Sequence, residues 1–228
     1  VLAQSGELVV VNWGSDAVTA YDKAYGQTVE AETGMKVLHD GSGPTEGATK
    51  AQFESGKPAS DLVDADPFSA KTLGKKGMME PIDYNVVDKS RMREGFGWEY
   101  AASSYFYSYI IAYDAKKFGD NPPKSMADFF DIEKFPGKRS MYKWGVGIWE
   151  ALLVADGVAP ADLYPLDIER AHAKLTAFKE NVVSFWGGGA ESQSVLMNGD
   201  ASMALIWSTR ARLIEEDSKG DVKFIWNC

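Results

Sequence analysis

The chain has 228 residues, of which 45% are hydrophobic and 25% charged, as in an ordinary globular protein with one large domain or two smaller ones. Its formal net charge is −9 at pH 7, which argues against a nucleic-acid partner because such a partner requires a basic surface. It has no apolar run near the length of about 18 residues that a membrane span requires. Its single cysteine, Cys228, excludes an internal disulfide and a cysteine-based metal cluster.

The first residues have the character of the end of an export signal. Residues 1–4 form a short apolar stretch with a small residue, and a polar stretch at 5–7 separates them from the first apolar run. Such an arrangement predicts export, with an extended N-terminus or a cloning remnant as the alternative.

Strands and helices alternate in the first third of the chain. Residues 8–11 are apolar without alternation, as expected of a strand buried on both faces of a parallel sheet, and further strands are predicted at 36–38 and 61–66. Helices are predicted at 17–33, 48–55 and 69–75, with Ser15 or Asp16 capping the first. Ligands of such sheets lie at the carboxyl ends of strands. The polar or aromatic residues that follow these strands are therefore candidates for binding: Trp13, Ser15, Ser42, Asp64 and Asp66.

An aromatic run occupies residues 103–114, with four tyrosines and one phenylalanine in nine positions. A strand here would place Tyr105, Tyr107 and Tyr109 on one face, because alternate side chains of a strand point in opposite directions. Two interpretations remain open. The run is an ordinary buried strand, since aromatic residues favour strands, or it begins at a binding surface and ends in a core.

A second alternation follows a stretch rich in Pro, Gly and Asn at 115–124, which is the clearest boundary signal in the chain. Helices are predicted at 126–130, capped by Ser125, and at 168–179, capped by Asp167. Further helices are predicted at 149–155, 191–198 and 210–217, and strands at 140–142, 182–185, 202–206 and 222–225. This alternation predicts an α/β architecture with a parallel sheet.

Residues 112–118, 121–131 and 135–140 together resemble the periplasmic solute-binding proteins of bacterial ABC importers, most closely the spermidine/putrescine-binding branch. Residues 12–13, 61–64, 150–158 and 203–207 support the resemblance. It implies a two-lobed type II fold in which each lobe is a mostly parallel sheet flanked by helices, with the ligand held between lobes that close by hinge motion. Lobe one would comprise residues 1–112, with 207–228 returning to it, and lobe two 113–206. The family usually extends beyond this length, so either the C-terminal part is missing, or the end of lobe two is built in some other way.

The resemblance also implies a function without catalysis, cofactor or metal. The chain would be an exported, periplasmic receptor that captures a small amine-containing solute, such as spermidine or putrescine, and delivers it to a membrane ABC permease. One departure opens an alternative: the family usually has Trp-Asn-Gly where this chain has Trp207-Ser208-Thr209, followed by Arg210. An arginine favours a carboxylate or another anion, and thus an amino-acid or opine-like ligand. A metal-using transferase around Asp64 and Asp66 is the contrasting hypothesis.

The candidate binding residues fall into three chemical groups. Aromatic faces attract ammonium groups, although core packing is the alternative role for each ring. Carboxylates would pair with amines, with a solvated surface position as the alternative. The loop at 187–190 could offer backbone N–H groups to an anion, or simply permit a tight turn. The predicted binding set is Trp13, Ser15, Asp16, Ser42, Asp66, Tyr107, Ser108, Glu150, Trp186, Ser192, Gln193, Trp207 and Arg210.

Overall fold

The computed structural model describes residues 6–226. The stretch 1–4, interpreted as the end of an export signal, and Cys228 lie outside the described residues. The chain divides into two compact units, Val1–Phe106 (unit 1) and Tyr107–Cys228 (unit 2). The division therefore falls inside the aromatic run, six residues before the predicted lobe boundary at residue 112.

Unit 1 contains a three-stranded, fully parallel sheet in the order β2-β1-β3. Its strands are β1 (Glu7–Val11), β2 (Lys36–Asp40) and β3 (Leu62–Val63). Its helices are α1 (Asp16–Tyr21), a π-helical turn (Asp22–Gly26), α2 (Gln27–Thr33), α3 (Glu46–Glu54) and α4 (Pro67–Lys75), with a short 3-10 turn at Lys89–Arg91. Each strand predicted from the sequence of this unit is present, and Gly34 ends α2 in the left-handed conformation that glycine tolerates.

Two details of unit 1 differ from the prediction. The third strand was expected to span 61–66, but only Leu62 and Val63 form ladder pairs, because the chain turns into α4 at Pro67. The first strand is less buried than expected: Val10 and Val11 are buried, whereas the earlier positions of β1 are half-buried or exposed. Among the described residues of this unit, the buried apolar side chains are Val10, Val11, Ala70 and Leu73.

Unit 2 is built on a five-stranded sheet in the order β6-β5-β7-β4-β8. Its strands are β4 (Tyr109–Asp114), β5 (Arg139–Tyr142), β6 (Val182–Trp186), β7 (Met203–Trp207) and β8 (Val222–Ile225). Its helices are α5 (Ala115–Phe118), α6 (Met126–Phe130), α7 (Ile148–Ala155), α8 (Ile168–Phe178), α9 (Gly189–Met197) and α10 (Ser208–Asp217), with 3-10 turns at Pro160–Asp162 and Lys179–Asn181. All five residues of β7 are buried, as expected of a central strand covered on both faces.

The unit 2 sheet is mixed rather than purely parallel. β5 runs parallel to β6 and β7, whereas β4 runs antiparallel to β7 and β8. Tyr109 therefore pairs with Trp207, and the amino end of β4 lies at the same edge as the carboxyl ends of β5, β6 and β7. This edge carries the candidate site described below.

The aromatic run does not form the continuous strand that its composition predicted. β4 begins only at Tyr109, and residues 103–108 are not in a strand, so the expected alternation of Tyr105, Tyr107 and Tyr109 on one face was wrong. Tyr105 belongs to unit 1 and Tyr107 to unit 2. β8 also pairs with β4 over four positions, so the described residues after 207 lie in unit 2 here, which differs from their predicted return to lobe one.

The predicted helix caps are a local test of the sequence reasoning. The side chains of Ser125 and Asp167 accept hydrogen bonds from the backbone N–H groups of Asp128 (3.2 Å) and Arg170 (3.0 Å), which confirms both caps. Ser15 precedes α1 as expected, but it has a positive φ of 51° and its side chain makes no capping hydrogen bond.

Replacing Asp167 with alanine should destabilise the protein by about 1 kcal/mol, because one N–H at the start of α8 loses its acceptor. The midpoint of urea unfolding measures the loss. Asp120→Ala, which removes the same charge from an exposed turn, is the control and should change the midpoint little. Equal effects of the two substitutions would show that charge, not capping, is responsible.

Candidate functional site

Five aromatic rings gather at one edge of the unit 2 sheet and form the aromatic cluster. Tyr142, Trp186 and Trp207 end β5, β6 and β7, and Tyr109 begins the antiparallel β4, so the sheet topology brings them to one place. Neighbouring ring centroids lie between 4.6 Å (Tyr142–Trp186) and 6.1 Å (Tyr107–Trp207) apart, mostly tilted or edge to face. Such arrangements are favourable between aromatic rings.

The rings of the aromatic cluster differ in exposure. Trp186 is fully buried, and its Nε1 donates a hydrogen bond to the carbonyl of Leu205 at 3.1 Å, so it forms the base of the cluster. Trp207 and Tyr142 are nearly buried, whereas Tyr107 is 36% exposed. Tyr107 therefore lies on the exposed side of the cluster, and the buried rings are fixed in place by their packing against one another.

A buried arginine of α10 packs against the start of α9. This residue, Arg210, is the third residue of α10 and only 4% exposed, and its Nη1 donates to Gln193 Oε1 at 3.5 Å. It packs so closely against Gly189 that a Cβ there would overlap its Nε. A Cβ at Gly187 would likewise lie 2.7 Å from Lys143 Nζ. The glycines at 187 and 189 thus make room for two cationic side chains beside the first turn of α9.

The first turn of α9 already has internal partners. Gly187 N donates to Glu191 Oε2 at 2.8 Å, and the buried Ser192 hydroxyl donates to the carbonyl of Gly189 at 2.7 Å. Arg210, Lys143 and the positive end of the α9 dipole thus lie close to one another at this helix start, together with the Glu191 carboxylate. Cationic side chains and a helix N-terminus both attract anions.

Glu150 is the third residue of α7 and is half-buried. Its Oε1 accepts a hydrogen bond from the Tyr164 hydroxyl at 2.8 Å, and this bond raises the pKa of Tyr164 above its ordinary value. Its Oε2 is buried and has no hydrogen-bond partner among residues 6–226. A buried acceptor without a partner is costly, so this oxygen is a candidate acceptor for a ligand amine.

The start of α7 adjoins the aromatic cluster. Gly147 precedes the helix with a φ of 74°, and a Cβ at this position would overlap the ring of Tyr109. Both the backbone conformation and the close approach require glycine.

The candidate residues of unit 1 lie after the carboxyl ends of its parallel strands. Trp13 is half-buried after β1, and Ser15 and Asp16 are exposed at the start of α1. Ser42 is exposed after β2 and donates its backbone N–H to Asp40 Oδ1 at 2.8 Å. Asp66 is half-buried and precedes α4, although its side chain does not cap the helix. Ligand binding by the unit 1 candidates and by Ser108 of unit 2 stays a prediction.

The family model described as bacterial extracellular solute-binding protein matches residues 9–227. The chain belongs to this family. It is 30% identical over 221 residues to the gamma-aminobutyric acid-binding protein of Pseudomonas aeruginosa (strain PAO1), covering 94% of this chain and 62% of that relative. It thus spans less than two thirds of the length of that curated relative.

Solved structures of solute-binding proteins share the fold. The Atu4243-GABA receptor is 38% identical with a TM-score of 0.84, and the match covers 96% of this chain and 68% of that one. MotA from A. tumefaciens B6, solved in complex with glucopine, is 28% identical with a TM-score of 0.87 and the same coverage. The fold is accordingly the α/β fold of type II periplasmic binding proteins. The family consists of solute-binding receptors, which leaves no support for the transferase hypothesis.

Sequence reasoning missed two members of the aromatic cluster as site residues, Tyr109 and Tyr142. Tyr142 ends β5 as Trp186 ends β6 and Trp207 ends β7, so its position after a predicted strand was an available signal. Tyr109 was hidden because the start of β4 was placed too early. The roles of Gly147 and Gly189 follow from three-dimensional proximity, which the sequence pattern does not show.

Metal-binding clusters and membrane-spanning helices were considered among the described residues. No group of three or more His, Cys, Asp or Glu residues within the described chain is arranged to hold a metal ion. Within residues 6–226, no helix is both long and apolar enough to cross a bilayer.

Proposed function

We propose that this solute-binding protein is the exported, periplasmic receptor of an ABC importer, and that its ligand carries both an amine and a carboxylate, as γ-aminobutyrate does. The observation that carries this proposal is the almost complete burial of Arg210 beside α9. A guanidinium presents a planar set of donors that matches a carboxylate, and the start of α9 and Lys143 add positive potential. The names of the relatives, a GABA-binding protein and an opine complex, support this ligand class.

The amine of the ligand has separate partners in unit 2. The aromatic cluster offers π-electron faces, each worth about 0.5–2 kcal/mol to an ammonium group depending on desolvation. Glu150 Oε2 offers a buried acceptor whose hydrogen-bonding capacity is unused among the described residues. The ammonium end of the ligand would thus meet Glu150 and the aromatic cluster, and its carboxylate end would meet Arg210.

A polyamine remains the second candidate, because aromatic faces, Glu150 and the net charge of −9 all suit a polycation. Arg210 and Lys143 count against it. A diamine would bring its second positive charge close to Arg210 and Lys143, and it has no carboxylate of its own to pair with them. Repulsion between like charges is unfavourable in a partly buried site. The polyamine therefore serves as the competing ligand in the experiment.

A ligand panel tests the proposal. We expect γ-aminobutyrate to bind at least about ten-fold more tightly than butyrate, which lacks the amine, or putrescine, which lacks the carboxylate, since each loses one charge-assisted contact. Isothermal titration calorimetry gives the affinities, and a change in tryptophan fluorescence, to which Trp186 and Trp207 contribute among the seven tryptophans, gives a second signal of binding. Tighter binding of putrescine than of γ-aminobutyrate would instead support the polyamine receptor. If no compound of the panel binds, the proposed ligand class is wrong.

A further inference from the structure

Unit 1 contains a buried histidine that the proposed function does not use. His39 lies on β2 opposite Val10 of β1, and its side chain is only 8% exposed. Its Nδ1 is 3.4 Å from Asn12 Nδ2, whereas its Nε2 is buried and has no hydrogen-bond partner among residues 6–226. Asp22 Oδ1, from the π-helical turn, is 3.9 Å from this Nε2, which is too far for a hydrogen bond but within reach of an ion pair.

The side-chain amide of Asn12 determines which nitrogen of the neutral ring carries the proton. Its Oδ1 accepts the backbone N–H of Gly14 at 2.9 Å, and a backbone N–H can only donate. The amide oxygen therefore faces Gly14 and the amide nitrogen faces the ring, so His39 Nδ1 must be an acceptor. The neutral ring then carries its proton on Nε2, the nitrogen nearer to Asp22.

Protonation of His39 would exchange one partner of the ring for another. An imidazolium has an N–H on both nitrogens, so its Nδ1 can no longer accept a hydrogen bond from Asn12. Its positive charge is attracted by Asp22, whose Oδ2 accepts from Gln27 Nε2 at 2.8 Å. A Cβ at Gly26 would lie 3.0 Å from Asp22 Oδ1 and 3.3 Å from His39 Nε2, so the glycine makes room for the carboxylate and the ring to lie this close.

The Asn12 side chain also supports the turn after β1, which comprises residues 12–16. Ser15 in this turn has a φ of 51°, a conformation that costs free energy for a residue other than glycine. Such a conformation persists only where surrounding contacts hold it, and the hydrogen bond from the buried Gly14 to Asn12 is one of these contacts. The turn carries Trp13, so loss of the contact between Asn12 and the imidazole would loosen a part of unit 1 that was predicted to bind ligand.

We propose that His39 is a pH-sensitive positioning residue of unit 1. Its neutral form holds Asn12 and the turn at 12–16, and its protonated form pairs with Asp22 and releases the turn. Histidine is the side chain that ordinarily changes charge between about pH 5 and 8, so acidification within this range would drive the exchange. This goes beyond the proposed function, which rests on residues of unit 2, so the two proposals fail separately.

The neighbouring charged groups define what else contributes to the pH dependence. The π-helical turn brings Asp22 to the ring, and α2 contributes Glu30, whose Oε1 accepts the backbone N–H of Val37 at 2.9 Å. Asp64 does not contact the ring, but burial raises its pKa toward the same range. The experiment must therefore separate the protonation of His39 from that of Asp64.

NMR spectroscopy of the full chain gives both readouts. The sequence has two histidines, and the second, His172, is exposed on α8 and serves as the internal reference. We expect the His39 ring to titrate from about pH 8 to about pH 5. Over the same range the protection of the Gly14 amide against hydrogen exchange, corrected for the intrinsic rate, should fall about ten-fold or more, because its acceptor is no longer held. The Gly34 amide, which donates to the Glu30 carbonyl at the end of α2, should keep its protection.

Three variants assign the dependence to His39. His39→Gln cannot gain a proton but keeps an acceptor for Asn12, so it should retain the protection of Gly14 at about pH 8 and lose its pH dependence. His172→Gln is the matched control and should keep that dependence. Asp22→Asn should move the transition to lower pH, because the imidazolium loses the carboxylate that favours it.

Four results would overturn the proposal: no titration of the His39 ring, pH-independent protection of Gly14, the same dependence in His39→Gln, or a transition that Asp22→Asn leaves in place. A dependence that persists in His39→Gln would belong to another group, such as Asp64. If His39→Gln does not fold, Asp22→Asn still decides the question at a half-buried position, since a purely structural His39 would give no transition for it to shift.

Discussion

Replacing Arg139 with methionine is expected to destabilise unit 2 by about 3–5 kcal/mol, the largest stability loss that we expect from a single substitution in this chain. Arg139 is fully buried at the start of β5. Its guanidinium group donates to the carbonyls of Phe129, Phe135 and Gly137, each at 2.6 Å, and to that of Asp131 at 3.4 Å. Methionine has a similar volume but would leave the carbonyls of Phe129, Phe135 and Gly137 without this donor, whereas that of Asp131 keeps the backbone N–H of Phe135.

The physical reason is the number of acceptors that one side chain satisfies. Residues 131–137 follow α6 and form neither helix nor strand, so the carbonyls of Phe135 and Gly137 lack the partners that a helix or sheet would supply. Burial lowers the pKa of Arg139 to about 10, which still leaves the guanidinium charged at neutral pH. The planar group can reach several carbonyls at once, which a single ammonium cannot do.

Urea and thermal unfolding measure this effect. Arg170→Met is the matched control, because Arg170 is largely exposed and its pair with Asp156 is a surface ion pair worth about 0–1 kcal/mol. Arg139→Lys keeps the charge and separates the two contributions, and we expect it to remain clearly destabilised. If Arg139→Met loses no more stability than Arg170→Met, the hydrogen bonds from Arg139 to the backbone carbonyls do not stabilise the loop that follows α6.

Strands and helices could be predicted where they depend on neighbouring residues in the sequence, such as an apolar run or a capping side chain. The β8 prediction of 222–225 was confirmed without change, and the caps at Ser125 and Asp167 follow from residue types whose side chains accept backbone hydrogen bonds. The direction of β4 was not predictable in the same way. Its reversal depends on which strands it pairs with, and pairing is a long-range property that neither composition nor periodicity records.

The candidate site was predictable only in part for a related reason. Trp186 and Trp207 were identified because they follow apolar runs, and the aromatic cluster contains both. Tyr105 and Tyr107 were expected on one strand face, yet they belong to different units, because the strand begins at Tyr109. Aromatic side chains favour strands but do not require them, so propensity alone placed the element boundary too early.

The second large effect is expected on affinity. Arg210→Met should weaken γ-aminobutyrate binding about 100-fold or more, since removing one partner of a desolvated, hydrogen-bonded charge pair costs several kcal/mol. Arg212→Met is the control from the same helix: Arg212 is exposed and pairs with Glu215 and Glu216. Its loss should change the affinity less than about three-fold. Circular dichroism and thermal unfolding establish that Arg210→Met is folded, because a buried arginine also contributes to packing.

Putrescine turns the same substitution into a test of sign. If Arg210 receives the ligand carboxylate, Arg210→Met should weaken γ-aminobutyrate but leave putrescine unchanged or bound more tightly, because a repelling cation has been removed. An arginine that serves only to pack α10 against Gly189 would instead affect both ligands in the same direction. Equal losses for the two compounds in a folded variant would therefore contradict a carboxylate-binding role for Arg210. Opposite changes would show that its charge selects the ligand, since no general loosening of α10 can favour one of them.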